Sequence, residues 1–318
     1  MAVERPVRTR QASAAAPAAT GDDRQQPSRR RRGLSFEAKI MAPGLLLLAA
    51  LSIVPFVTIV WMSFSRVRLL GGVHFSWTGL TNWTRVFTDA DVRSSWLLSA
   101  FYFVATVGLE MVLGLAIALL VHRLMRGRNL VLSLLLLPMF VAPIIVGLLG
   151  RFLTDSTFGL YAWALRGLGV SGDLLGTKNR ALAAVILMDV WEWTPLIVII
   201  ALAGLAAVPK AVLEAAAVDG ANYWHTLRRI VLPTISGVLL VALLIRAMDA
   251  IRFFDIISVT TNGGPANGTK IIPIRLYETA FRFFDLGYAA AIGLGMLVFS
   301  ILVANIFVAS LQRKGLAK

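Results

Sequence analysis

Asp189 and Glu192 stand three residues apart inside one long apolar stretch, and Arg246, Asp249 and Phe253 recur at intervals of three and four inside another. On a helix each set shares a face. Trp191 and Trp193 flank the first set with Pro195 just beyond, and Arg252, Phe254 and Asp255 follow the second. An ionisable side chain at the centre of a bilayer costs a few kcal/mol or more unless it meets water or a partner, so such groups mark either a solute path or a pairing between helices. Carboxylates and a guanidinium hydrogen-bond hydroxyls, and flat rings stack on apolar C–H faces, which together is the chemistry of carbohydrate binding. The plainer alternative is that Arg246 and Asp249 neutralise each other as an i,i+3 pair while the tryptophans pack against neighbouring helices or sit in an interfacial belt. Unpaired intramembrane charge favours the path. Glu110, alone in a third stretch, reads instead as a structural carboxyl.

Other chemistries lack their residues. His74, His122 and His225 lie far apart and there is no Cys, so neither a metal centre nor a thiol nucleophile is expected. No G-x-S-x-G elbow occurs. The run from Asn262 to Lys270 places Gly263 and Gly268 at phosphate-loop spacing, but Thr269-Lys270 stands where Lys followed by Ser or Thr is required, and no strand precedes it. It reads as a glycine turn. No catalytic residue is assigned, and if ATP drives this protein the ATP and Mg bind another chain. Asn82-Trp-Thr84 and Asn267-Gly-Thr269 match the glycosylation sequon, a pattern short enough to arise by chance.

The elements that must hold these side chains are membrane helices. Of 318 residues 58% are hydrophobic and only 15% charged, too apolar for an ordinary soluble domain. Six stretches are long enough to span a bilayer, at about 20 residues each: 40–64, 96–121, 130–153, 181–207, 234–258 and 288–311. The fold class is therefore all-α, a polytopic bundle of about six transmembrane helices. The net charge of +14 comes largely from Arg in an amino-terminal arm and in short loops, which serves anchoring and orientation better than nucleic acid. Residues 1–35 read as a disordered basic arm, and residues 36–318 as the membrane domain. Arg29 to Arg32 precede an apolar run too long for a signal sequence, so the first span is retained. Lys and Arg are densest in the arm, around Arg123 to Arg128, at Lys210, Arg228 and Arg229, and at Arg313 to Lys318. This places both termini and the loop 209–233 in the cytoplasm. The opposite loops, dotted with Gly, Trp and Asn, read as ordered turns.

The loop 209–233 carries Lys210, Glu214, Asp219, Arg228 and Arg229, so it cannot lie in hydrocarbon. Leu213, Ala216, Ala217, Trp224, Leu227 and Val231 recur at helical spacing, Asp219-Gly220 breaks the pattern and Pro233 ends it. Two short helices hinged at Gly220 are expected, with an apolar stripe that lipid headgroups or a partner protein must cover. The acids and the Asp-Gly break suit a protein socket better than an anionic membrane surface.

Within this loop Glu214, Ala215, Ala216, Asp219, Gly220, Ala221, Ile230, Leu232 and Pro233 resemble the EAA---G loop of ABC-importer permeases. Gly79-Leu80-Thr-Asn82-Trp83, Leu137-Pro138, Leu202 to Leu205, Phe254-Asp255, Thr261 to Pro265 and Gly287 to Ala291 are similar to further elements of carbohydrate importers of the maltose and glycerol-3-phosphate type, in the same order. The resemblance implies a type I importer permease in a bacterial or archaeal inner membrane. Its implied partners are a second homologous permease subunit, two ATPase subunits, an extracytoplasmic solute-binding protein, membrane lipid and a carbohydrate substrate. It implies that Glu214, Ala215, Ala216, Asp219, Gly220 and Ala221 seat in the ATPase, and that sugar contacts come from Asp189, Trp191, Glu192, Trp193, Arg246, Asp249, Ala250 and Phe253. Without the resemblance, an ion-coupled secondary transporter using Glu110, Asp189 and Asp249 would fit the same faces, whereas a membrane scaffold that uses the loop only to recruit a partner would leave them unexplained.

Overall fold

Pro and Gly punctuate long apolar runs here, and at some of these positions they decide where a helix stops. The computed structural model describes residues 36–69, 71–124, 126–169 and 172–313; the expected arm, Lys314 and Lys318 lie outside them. The chain divides into two compact units, 1–52 and 53–318. The first contains the opening half of helix α1 (Phe36–Ser63).

After α1 come strands β1 (Ser65–Arg68) and β2 (His74–Trp77), an antiparallel hairpin. Helices α2 (Thr81–Thr88) and α3 (Ala90–His122) follow, with Asp89 capping α3 by accepting from the Asp91 backbone N–H. Next are α4 (Arg128–Leu136), a 3₁₀ turn Leu137–Phe140, α5 (Pro143–Thr154), α6 (Leu160–Gly167) and α7 (Lys178–Ala206). Beyond lie α8 (Lys210–Val218), α9 (Tyr223–Thr226), a π turn Leu227–Val231, α10 (Leu232–Ala250), α11 (Asp255–Thr260), α12 (Ile272–Tyr277), a second π turn Glu278–Arg282 and α13 (Leu286–Arg313). Among the described residues five helical runs are long and apolar enough to cross a membrane.

The third expected span is not one straight helix. Arg128–Phe140 and Pro143–Thr154 meet at 93°. Pro143 lacks an N–H and forces the preceding Ala142 into extended backbone, φ −65° and ψ 138°, so the ladder breaks between Phe140 and Pro143. Six spans result only if this bent pair counts as one.

Pro233 also departs from expectation, since it does not end its helix. The π turn lets the Leu232 N–H reach the Leu227 carbonyl, five residues back, which makes room for a ring that would clash in a regular α turn. One helical run therefore extends from Tyr223 to Ala250, within an apolar span that continues to Thr260.

Glycines set the closest approaches between helices, as in other membrane bundles. A Cβ on Gly114 of α3 would lie 2.6 Å from Ile197 Cβ of α7, and one on Gly150 of α5 would overlap the Met188 sulfur of α7. On the other flank Gly204 of α7 faces Ile235 and Val238 of α10. Helix α7 thus sits against α3, α5 and α10, the position from which its carboxylates can meet side chains from two neighbours. At one end of this packing, Asn82 donates from its amide to the carbonyls of Ser63 and Ser65, both at 3.0 Å. Gly287 abuts the Ser65 carbonyl so closely that no side chain would fit there, with the Asn82 amide and the Met62 carbonyl beside it.

Candidate functional site

Two regions hold the expected functional residues. The first is a buried charge cluster built by α3, α7 and α10. Tyr102, Thr106 and Glu110 fall four residues apart on one face of α3, Asp189 and Glu192 share a face of α7, and Arg246 and Asp249 share one of α10. Arg246 is fully buried and spends its donors on three carboxylates. Its Nε donates to Glu110 Oε2 at 2.7 Å and its Nη2 to Glu110 Oε1 at 2.9 Å, a bidentate pair. Nη2 also donates to Asp189 Oδ1 at 2.6 Å, and Nη1 to Asp249 Oδ2 at 2.8 Å. The Tyr102 hydroxyl donates to the other Asp189 oxygen at 2.8 Å.

The surrounding rings complete the cluster. Trp193 places its ring 5.3 Å from the Arg246 guanidinium carbon, and Phe253 stacks on Tyr102 with centroids 5.1 Å apart. Glu192 is buried, and its Oε2 has no hydrogen-bond partner among the described residues. The side chains of Glu110, Asp189 and Arg246 are fully covered, whereas that of Asp249 is 44% exposed. The cluster therefore reaches open space through Asp249.

Of the eight residues expected on the path, Asp189, Glu192, Trp193, Arg246, Asp249 and Phe253 come together. Trp191 is exposed, since a step of one residue turns it about 100° from Glu192 on the helix. Ala250 is buried and lines an apolar cleft of about 300 Å³ with Tyr102, Phe103 and Phe299. Glu110 and Tyr102 were not among the eight. Their signal was a polar face on α3 at a spacing of four, but their partners lie 136 and 87 residues away in the chain.

The second region is the loop 209–233. Helix α8 ends with Gly220 at φ +73°; the Gly220 N–H donates to the Ala217 carbonyl at 3.1 Å and the Ala221 N–H to the Ala216 carbonyl at 2.9 Å. This is a Schellman closure, for which a left-handed residue after the cap is needed and glycine fits at least cost. Asn222 then accepts from the His225 N–H at 2.8 Å and starts α9. Asp-Gly-Ala-Asn is thus one stop followed by one start.

The apolar stripe divides in two. Leu213, Leu227 and Val231 turn inward with buried Ala216 and pack beside Val121, Leu202 and Leu205, at the ends of α3 and α7. The expectation that lipid or a partner must cover the whole stripe is corrected: the chain covers that part itself. Glu214, Ala215, Ala217, Val218 and Asp219 remain exposed, as does Trp224 beyond the turn. The segment is anchored further by Arg123, whose guanidinium stacks 4.0 Å above the Tyr223 ring.

The family model described as the binding-protein-dependent transport system inner membrane component matches residues 110–315. The trehalose/maltose transport system permease protein MalF of Thermococcus litoralis is 34% identical over 275 residues, covering 84% of this chain and 91% of that protein. The trehalose transport system permease protein SugA of Mycobacterium tuberculosis is 32% identical over 276 residues, with 85% and 86% covered. A chain in the crystal structure of a bacterial ABC transporter involved in the import of the acidic polysaccharide alginate shares the fold, with a TM-score of 0.75, 20% identity and coverage of 87% and 95%.

Proposed function

This chain belongs to the family of binding-protein-dependent transport system inner membrane components, and on that footing we propose that it conducts a neutral carbohydrate as one permease subunit of an ATP-driven importer. The observation that carries the substrate class is the half-exposed Asp249 carboxylate, backed by a buried guanidinium and by the Trp193 ring. A carboxylate accepts hydrogen bonds from sugar hydroxyls and an indole face covers sugar C–H bonds. Four carboxylates around one Arg disfavour an anionic substrate. The trehalose and maltose named for the relatives are neutral sugars of this kind.

The motor is a pair of ATPase subunits that hold ATP and Mg and seat on Glu214, Ala215, Ala217, Val218 and Asp219, in the cytoplasm with both termini. ATP binding closes that pair and pulls α8. Since Leu213 and Val231 pack with Val121, Leu202 and Leu205 at the ends of α3 and α7, and Leu227 lies beside Leu205, the pull reaches the helices that carry the charge cluster. A second, homologous permease faces this chain across the path, and an extracytoplasmic solute-binding protein delivers the sugar to the far side.

Asp249→Ala is expected to lower uptake about tenfold, the loss of roughly 1.4 kcal/mol of hydrogen bonding to the moving substrate, while membrane accumulation stays at the unmodified level. Initial-rate uptake of radiolabelled trehalose beside quantitative detection in the membrane fraction decides it. Uptake unchanged in that variant removes Asp249 from the path.

A further inference from the structure

Glu110 is buried and unclaimed by the transport path, yet it supplies the most complete contact in the cluster. Both its oxygens accept from Arg246, at 2.7 and 2.9 Å, so the guanidinium plane is fixed by a fork that tolerates one orientation. Asp189 takes a further donor on the same Nη2 atom. What remains is Nη1, which points at Asp249, the member of the cluster with an exposed side chain. The chain of contacts runs from α3 through a guanidinium on α10 to the carboxylate nearest open space.

We propose that Glu110 is a positioning residue for transport: by locking the Arg246 guanidinium it holds the Asp249 carboxylate in the orientation that meets the substrate. This deepens the carbohydrate path proposed above and rests on it for the role of Asp249. Glu110 itself touches no sugar. It acts only through Arg246 and Asp249, so its loss has no further effect where the Asp249 carboxylate is already gone. A glutamate that merely stabilised the bundle would weaken every function in proportion to folded protein.

The test uses Glu110→Gln, Asp249→Asn and the double variant in the complete transporter, reconstituted with its companion permease, ATPases and binding protein, and with trehalose as the probe. Glutamine keeps the shape of Glu110 but turns one acceptor into a donor facing Arg246. Each single variant is expected to raise the half-saturating trehalose concentration about fivefold with assembly unchanged, and the double variant to raise it no further than Asp249→Asn alone. Effects that multiply in the double variant, or a fall in maximal rate that tracks lost assembly with unchanged half-saturation, overturn the proposal. A cryo-EM structure of the Glu110→Gln complex decides the same point without any substrate. The Asp249 carboxylate is expected to leave Arg246 Nη1, and an Asp249 that stays in place contradicts the proposal. Failure of the unmodified transporter to take up trehalose in the first experiment would count against the carbohydrate reading alone, because the structural arm still decides the role of Glu110.

Discussion

Gly220→Asp is expected to abolish uptake, by roughly 100-fold or more, while the protein accumulates normally in the membrane. The backbone at this position lies at φ +73°, and among the described residues nothing beyond its two chain neighbours stands within 4 Å of where a Cβ would be. Within the chain, then, the substitution meets only the left-handed conformation. Asp is among the residues that visit that region most readily, at a cost of about 1 kcal/mol, and the Schellman closure and the Asn222 cap survive it. What changes is the surface: a charged side chain is added to a knuckle already carrying Glu214 and Asp219, where bulk or like charge prevents seating in a partner. A 100-fold loss corresponds to about 2.8 kcal/mol, the scale of a docking hot spot. Gly220→Ala, with neither charge nor length, is expected to lose far less. Uptake and membrane abundance measured side by side check both; normal uptake by Gly220→Asp would mean that the exposed knuckle docks nothing.

Arg246→Ala has the opposite signature. It leaves Glu110 and Asp189, both with side chains fully covered, without their cation. Breaking a buried pair in this way costs about 3–5 kcal/mol, a large part of the roughly 5–15 kcal/mol that holds a folded protein together. The variant is expected to be nearly absent from the membrane fraction, or to aggregate well below the unmodified protein on heating in detergent. The triple variant Glu110→Gln, Asp189→Asn, Arg246→Met removes every charge of the trio and leaves Tyr102 an acceptor at position 189. It is expected to restore accumulation but not uptake, since Asp249 then has nothing to orient it. Arg246→Ala at normal abundance and thermal stability would show that the cluster contributes little to holding α3, α7 and α10 together.

Local patterns in the sequence carried much of this arrangement, and the misses have physical causes. Arg246 and Asp249 declared themselves as an i,i+3 pair, and Gly220 as a hinge, because both depend on neighbours within one turn. Glu110 read as a solitary structural carboxyl because its partner is 136 residues distant, and only the packing of α3 against α7 and α10 brings them together. Trp191 and Trp193 look equivalent in sequence, but helical rotation puts one beside Arg246 and leaves the other exposed. The apolar length of 130–153 reads as one span, and the 93° bend within it follows from the conformation Pro143 imposes on Ala142. The hairpin of Ser65–Arg68 with His74–Trp77 has strands of four residues, too short to leave a period in the sequence.

Under the proposed function an external motor grips this chain at α8. The sequence contains no Cys, so Ala215→Cys, at an exposed position of α8, offers a single thiol for cross-linking in the assembled transporter. A cross-link from Cys at this position to an ATPase subunit, changing in yield between nucleotide-free and ATP-bound states, is the predicted result. Labelling of that thiol by a membrane-impermeant reagent added from outside intact cells, or a thiol that meets only lipid, would contradict it.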